Sequence, residues 1–126
     1  ATTGRPRRCG WFDAVVVKDS VEINGVDTLN LTKLDVLTGV KEIKVATKYM
    51  LDGKELFTIP TTRKANRKLE VEYESFAGWE EDLSQIRTFE YLPENAQKYV
   101  LAIEKLTGCH VGSIGVGMDR GDLIFR

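Results

Sequence analysis

The sequence predicts an α/β protein with an antiparallel hairpin excursion around residues 42–59. Three observations carry this expectation. Between Pro93 and Gly108 the apolar side chains recur at helical spacing. Short alternating or apolar runs at 28–32, 42–49, 54–59 and 111–116 read as strands. Asp52-Gly53 lies between two of those runs, and two-residue hairpins favour this dipeptide because both turn positions need positive φ.

Along the chain, residues 1–8 form a small basic loop, A-T-T-G-R-P-R-R. Residues 11–24 follow with helix-like spacing, Asp13 as N-cap and Gly25 as C-cap. A strand at 28–32 and the hairpin pair come next. Residues 63–68 (R-K-A-N-R-K) are basic and 70–82 are acidic; both read as solvated surface whose opposite signs nearly cancel. The clearest helix is 93–107, with Pro93 in its first turn, Tyr99, Val100, Ile103 and Leu106 on one face, and Gly108 at its end. A strand at 111–116, a glycine-bearing turn and a short strand at 123–125 complete the chain. It shows no internal repeat and no low-complexity linker.

At 126 residues, 42% apolar and 29% charged, the chain is long enough for one domain with a real core. No run approaches the roughly 18 uncharged apolar residues of a membrane span. Eighteen basic and nineteen acidic side chains leave a net charge of −1, which removes the electrostatic case for a dedicated nucleic-acid or membrane-surface binder. Cys9, Cys109 and the single histidine, His110, make neither a disulfide framework nor a zinc site, so no metal is expected on this chain. Cys109-His110 has the composition of a nucleophile and base. Neighbours on a strand face opposite sides, which argues against it. Reduced cysteines and the lack of a signal segment set the expected compartment as intracellular. The chain opens on its most chemically loaded segment without a methionine, and the expectation is a piece of something larger.

Three segments have the composition for chemistry. Residues 2–8 (T-T-G-R-P-R-R) combine hydroxyls, backbone amides and guanidiniums that pair with carboxylates or phosphates; a basic surface loop is the plain alternative. Residues 31–35 (L-T-K-L-D) resemble the N-K-x-D guanine signature, with Thr32 in the asparagine's place. One carboxylate accepts both the N1–H and the exocyclic amine of guanine, and adenine lacks that N1–H. Lys33 has a methylene stem long enough to lie along a base. Alternatively, Asp35 only caps the turn after the strand. Residues 115–120 (G-V-G-M-D-R) lack the third glycine of a dinucleotide fingerprint, leaving a backbone approach to a flat ligand or an ordinary strand-to-strand turn.

In this order, the segments resemble the C-terminal part of the adenylosuccinate synthetase family. The matching stretches are T-T-G-R-P-R-R-C-G-W at 2–11, L-T-K-L-D-V-L at 31–37 and L-D-G-K-E at 51–55. V-E-Y-E at 71–74, G-W at 78–79, L-P-E-N-A-Q-K-Y-V at 92–100 and I-G-V-G at 114–117 follow. The resemblance covers nearly the whole chain. It implies the C-terminal part of a larger P-loop-like mixed-sheet ligase fold, a single unit over 1–126, from an enzyme that joins IMP and L-aspartate at the expense of GTP.

Carried over residue by residue, Ala1, Thr2, Thr3, Gly4, Arg5, Pro6 and Arg7 match the loop over aspartate and IMP. Arg5 also reaches the IMP sugar, and Arg7 also approaches GTP. Lys33, Leu34 and Asp35 match the guanine-reading segment, and Gly115, Val116 and Gly117 the loop covering the base. The resemblance further implies Mg2+ bound by a part of the enzyme not in this chain, along with the phosphate loop and the catalytic aspartate and histidine. It implies a homodimeric parent in the cytoplasm, or in a plastid if the source is a plant.

The sequence departs from the family at Met118, where proline is common after the last glycine, at Ala77, where proline often precedes Gly-Trp, and over 61–68. Two other readings compete. One is a non-catalytic folding or interaction module. The other, a small switch of the G-protein kind, lacks the G-x-x-x-x-G-K-[ST] phosphate loop it needs.

Overall fold

In the computed structural model, which describes residues 10–126, a two-residue strand, β1 (Phe12–Asp13), runs directly into helix α1 (Ala14–Asn24). Asp13 is the N-cap: its Oδ1 accepts from the amides of Val15 at 3.0 Å and Val16 at 3.1 Å. Gly25 closes the helix in the left-handed conformation at φ 62°. The helix is shorter than the expected 11–24, because Phe12 and Asp13 pair in parallel with Val45 and Ala46. Sheet pairing overrides the helical spacing there.

Strand β2 (Thr28–Leu31) leads into a 3₁₀ turn, Leu34–Leu37, and then the long strand β3 (Glu42–Leu51). The chain reverses through Asp52 (φ 51°) and Gly53 (φ 79°) into β4 (Lys54–Leu56). The paired positions are Tyr49↔Leu56, Met50↔Glu55 and Leu51↔Lys54. The second strand therefore ends at Leu56 instead of continuing to 59, and β3 is not part of an excursion. From Glu42 to Met50 it pairs antiparallel with β5 (Glu70–Ala77), with a register shift between Ala46 and Lys48, while β1 and β4 share its other edge.

The basic residues form helix α2 (Arg63–Lys68), capped by Thr62 and without a buried residue. The acidic stretch, expected as mere surface, supplies β5. Its charges face water, as an antiparallel sheet with one wet face allows.

Residues Phe89–Tyr91 make a second 3₁₀ turn before helix α3 (Glu94–Thr107), which Pro93 precedes as N-cap and Gly108 ends at φ 68°. Strands β6 (His110–Gly115) and β7 (Leu123–Phe125) follow. They build the second sheet in the order β2-β6-β7, parallel then antiparallel. Ser113 Oγ donates to Asn30 Oδ1 across the parallel pair at 2.8 Å.

The core lies where α3 meets both sheets. Ile103, Val100, Ala96 and Tyr99 of α3 pack with Ile43 and Val45 of β3, and with Val111, Ile114 and Ile124 of the second sheet. Burying each large aliphatic side chain stabilises the fold by about 1.5–3 kcal/mol. Trp79 and Phe76 close one end, each against the Tyr99 ring at 6.2 and 6.1 Å. Gly78, just past the end of β5, sits where a Cβ would overlap the Val40 carbonyl, so only glycine fits there.

Candidate functional site

Strand β2 ends by turning sharply. Lys33 takes the left-handed conformation at φ 60°, which reverses the chain into the Leu34–Leu37 turn. Leu34 is 2% exposed and anchors that turn in the core, while Lys33 stays in water. Asp35, in the first turn, has its Oδ1 buried without a hydrogen-bond partner among the described residues. A buried acceptor left unpaired costs about 1–3 kcal/mol.

The parallel register of β2 and β6, with Leu31 opposite Ile114, brings residues 115–117 to the same sheet end. A Cβ on Gly115 would stand 3.4 Å from the Lys33 amide nitrogen and from the Thr32 Cα. The T-K-L-D turn and the G-V-G turn are thus neighbours just past the carboxyl ends of two parallel strands. Open α/β sheets offer ligands their crevices at such ends.

The second turn is held from behind. Asp122 closes it twice through its backbone: Val116 N donates to its carbonyl at 2.8 Å, and its own N–H donates to the Asp119 carbonyl at 3.0 Å. Its Oδ2 accepts from Asp119 N at 3.1 Å, and its Oδ1 takes Arg87 Nη2 at 2.7 Å. A Cβ on Gly117 would overlap that carboxylate.

Here the structure changes the reasons attached to several residues. The Leu34 and Val116 side chains belong to the core, at 2% and 0% exposure, so only their backbones face the site, and Val116 N–H is already engaged. Gly117 is small against Asp122, where sequence reasoning had a flat ligand in view, while a Cβ on Gly115 would make only ordinary contact with the Thr32-Lys33 backbone. Met118 lies within the turn with its side chain 80% exposed. Ala1, Thr2, Thr3, Gly4, Arg5, Pro6 and Arg7 lie outside the described residues. Sequence reasoning missed Arg87 and Asp122. An aspartate closing a glycine turn was the available signal for Asp122; Arg87 had none.

Away from this face, Glu104 Oε2 accepts from Val111 N at 2.8 Å and pairs with His110 Nδ1 and Arg126 Nη1, each at 2.8 Å. Burial pushes its carboxyl up, but the Arg126 and Val111 hydrogen bonds and the charges of Arg126 and His110 outweigh that. The group titrates below the ordinary glutamate range. The Arg126 guanidinium also lies 4.3 Å over the Phe89 ring. Cys109 is buried with its thiol toward the Val26 carbonyl, and His110 is exposed on the other side, so the two do not form a nucleophile–base pair.

Among the described residues, no three His, Cys, Asp or Glu side chains converge as a metal site, and no helix is long and apolar enough to cross a membrane. The Mg2+ that the resemblance implies finds no donor set on these residues. A groove of about 540 Å³ lined by Ala14, Lys18, Phe57 and Leu106 includes none of the expected site residues.

Comparison with known proteins agrees with the resemblance. The family described as adenylosuccinate synthetase matches residues 1–124. Adenylosuccinate synthetase of Phytophthora infestans is 51% identical over 125 residues, 99% of this chain but 23% of that protein. Adenylosuccinate synthetase 2, chloroplastic, of Sorghum bicolor is 52% identical over 126 residues, 26% of its length. The structure of fully ligated adenylosuccinate synthetase from Plasmodium falciparum superposes with a TM-score of 0.92 at 43% identity, covering 99% of this chain and 30% of that one. The chain thus spans about a quarter of the curated relatives it matches, and with a matched segment reaching from residue 1 to residue 124 it belongs to the adenylosuccinate synthetase family.

Proposed function

We propose that this chain serves as the C-terminal part of a GTP-dependent ligase that joins IMP and L-aspartate into adenylosuccinate. In that reaction the γ-phosphoryl group of GTP moves to the purine 6-oxygen, giving 6-phosphoryl-IMP and GDP. The aspartate amine then displaces phosphate at the same carbon. Asp35 accepts the N1–H and exocyclic amine of guanine, and the Lys33 stem covers the base. Gly115 to Gly117 form the opposite lip. Ala1 to Arg7 bind aspartate and IMP, with Arg5 shared by both and Arg7 reaching GTP. Magnesium, when bound, neutralises phosphate charge; nothing in the described residues offers it ligands.

The observation that carries this reading is the approach of Gly115 to the Thr32-Lys33 backbone, which sets the T-K-L-D and G-V-G turns side by side at one sheet end. As a piece of fold, the same reading makes the chain the C-terminal part of a larger P-loop-like mixed-sheet ligase. No glycine-rich phosphate loop occurs in these 126 residues, so the chain by itself is inactive. The parent is a homodimer of the cytoplasm, or of the plastid in a plant, where relatives named chloroplastic occur.

The test is Asp35→Asn in the full-length parent, assayed with GTP and XTP at saturating IMP and aspartate. The amide inverts one hydrogen bond and weakens another, so specificity for GTP should fall by roughly 30- to 1000-fold and that for XTP by far less. An unchanged XTP-to-GTP preference in a folded enzyme would remove Asp35 from base reading.

A further inference from the structure

We infer that Arg87 and Asp122 are positioning residues for nucleotide use, a strut that holds the 115–122 turn in its base-covering shape. The inference rests on the reading of that turn given above and extends it to two residues outside every segment the sequence singled out.

Arg87 is immobilised before it reaches Asp122. Its Nη1 donates to the Ser84 carbonyl at 2.6 Å and to the Ile86 carbonyl at 2.9 Å, which leaves Nη2 for the Asp122 carboxylate at 2.7 Å. The segment behind it is itself anchored. Leu83 is fully buried, Ile86 N closes a turn onto the Leu83 carbonyl at 3.0 Å, and Asp82 Oδ1 caps Ser84 N at 2.9 Å. A guanidinium held at two carbonyls loses little rotamer freedom on pairing, unlike a free surface arginine.

Asp122 in turn uses its remaining polar groups on the 115–122 turn. Its carbonyl takes Val116 N, its amide gives to Asp119, its Oδ2 takes Asp119 N, and its carboxylate occupies the space a side chain at 117 would need. Without Arg87, the carboxylate keeps only the single neutral donor of Asp119 and is free to leave Gly117. The turn would then sample shapes that no longer fit a flat base, and binding would lose the fraction of time spent in them. In the proposed reading IMP and aspartate are assigned to residues 1–7, a different segment of the chain, so this loss should be confined to the nucleotide.

The experiment uses the full-length parent with Arg87→Gln, Asp122→Asn, the pair combined, and Arg87→Lys, alongside Asp35→Asn. Arg87→Gln should raise KM for GTP about 3- to 10-fold, the worth of one half-exposed charge-assisted bond, with kcat and KM for IMP unchanged. Arg87→Lys should recover most of that rise. Asp122→Asn keeps the shape and loses the charge, so adding Arg87→Gln to it should change KM for GTP less than about twofold.

The XTP-to-GTP preference should stay at the parent's value in the Arg87 and Asp122 variants, because Asp35 is untouched in them. An unchanged KM for GTP in Arg87→Gln overturns the strut, as does an equal rise for GTP and IMP, which marks a general packing role. Should Arg87→Gln fail to fold, Asp122→Asn alone carries the same comparison of GTP against IMP. A nucleotide-confined effect at Arg87 together with an unaltered preference in Asp35→Asn would keep the strut and remove the Asp35 assignment.

Discussion

The Tyr49 hydroxyl donates to Asp13 Oδ2 while the other oxygen of that carboxylate caps helix α1. One side chain thus joins the N-terminus of the helix to the longest strand near its C-terminal end. Burial first, then the Asp13 bond and charge, push the Tyr49 phenol far up.

Tyr49→Phe should therefore lower stability by about 1 kcal/mol, the usual net worth of such a bond, and leave the cap itself intact. The pH dependence has a definite sign. A phenol whose folded value lies above 10.0 contributes fully below pH 10 and loses its contribution as pH rises past it, because the unfolded chain sheds its proton first. The deficit of the variant should shrink above that pH. Urea denaturation of both proteins on either side of pH 10 tests this; equal midpoints at neutral pH would show the bond to be worth nothing.

Gly78→Ala should be far costlier than its size suggests. Its Cβ would overlap the Val40 carbonyl, while Gly78 N donates to Lys41 O at 3.0 Å and its carbonyl takes Asn95 Nδ2 at 2.9 Å. The backbone has no room to shift without breaking one of these. A loss above about 2 kcal/mol is expected, with the neighbouring Trp79 moving in step. Trp79 fluorescence during denaturation reads both, and a variant as stable as the parent would contradict the packing described.

Glu104 should make the chain sensitive to acid. Its carboxyl titrates below the ordinary 4.5, so its contribution is present above that pH and is lost as pH falls through the folded value. Glu104→Gln should be less stable than the parent at about pH 6 and should lose less further stability on going to about pH 3. Parallel denaturation curves for the two proteins across that range would show that the Arg126 and His110 pairing does not matter.

Arg5→Leu in the full-length parent should weaken aspartate use by roughly ten- to a hundred-fold, and IMP use as well, while sparing GTP. The basis is the loss of a charge-assisted contact to a carboxylate. Unchanged kinetic constants for aspartate would refute the carry-over of this residue.

How much was legible differs from residue to residue. The cap at Asp13, the positive-φ turn at Asp52-Gly53 and the buried face of α3 could all be read, because each is decided within one or two turns of chain. Strand β5 was legible in part: Val71-Glu72-Tyr73-Glu74 alternates, but the excess of glutamates made it look like surface alone. The T-K-L-D and G-V-G segments could each be picked out, though nothing local said that they meet.

The sequence by itself determined the local stops and starts, since Asp, Gly and Pro act through the backbone of their immediate neighbours. It also determined the family, since the matching stretches run nearly from end to end. Tertiary structure alone decided which segments became neighbours. Asn30 and Ser113 are 83 positions apart yet hydrogen-bonded, and their strands carry residues 31–35 and 115–117 to one sheet end. It also decided what each glycine is for, by setting Gly78 against Val40 and Gly117 against Asp122. Strand pairing and close packing join residues through space, and no spacing rule along the chain encodes which partner will be there.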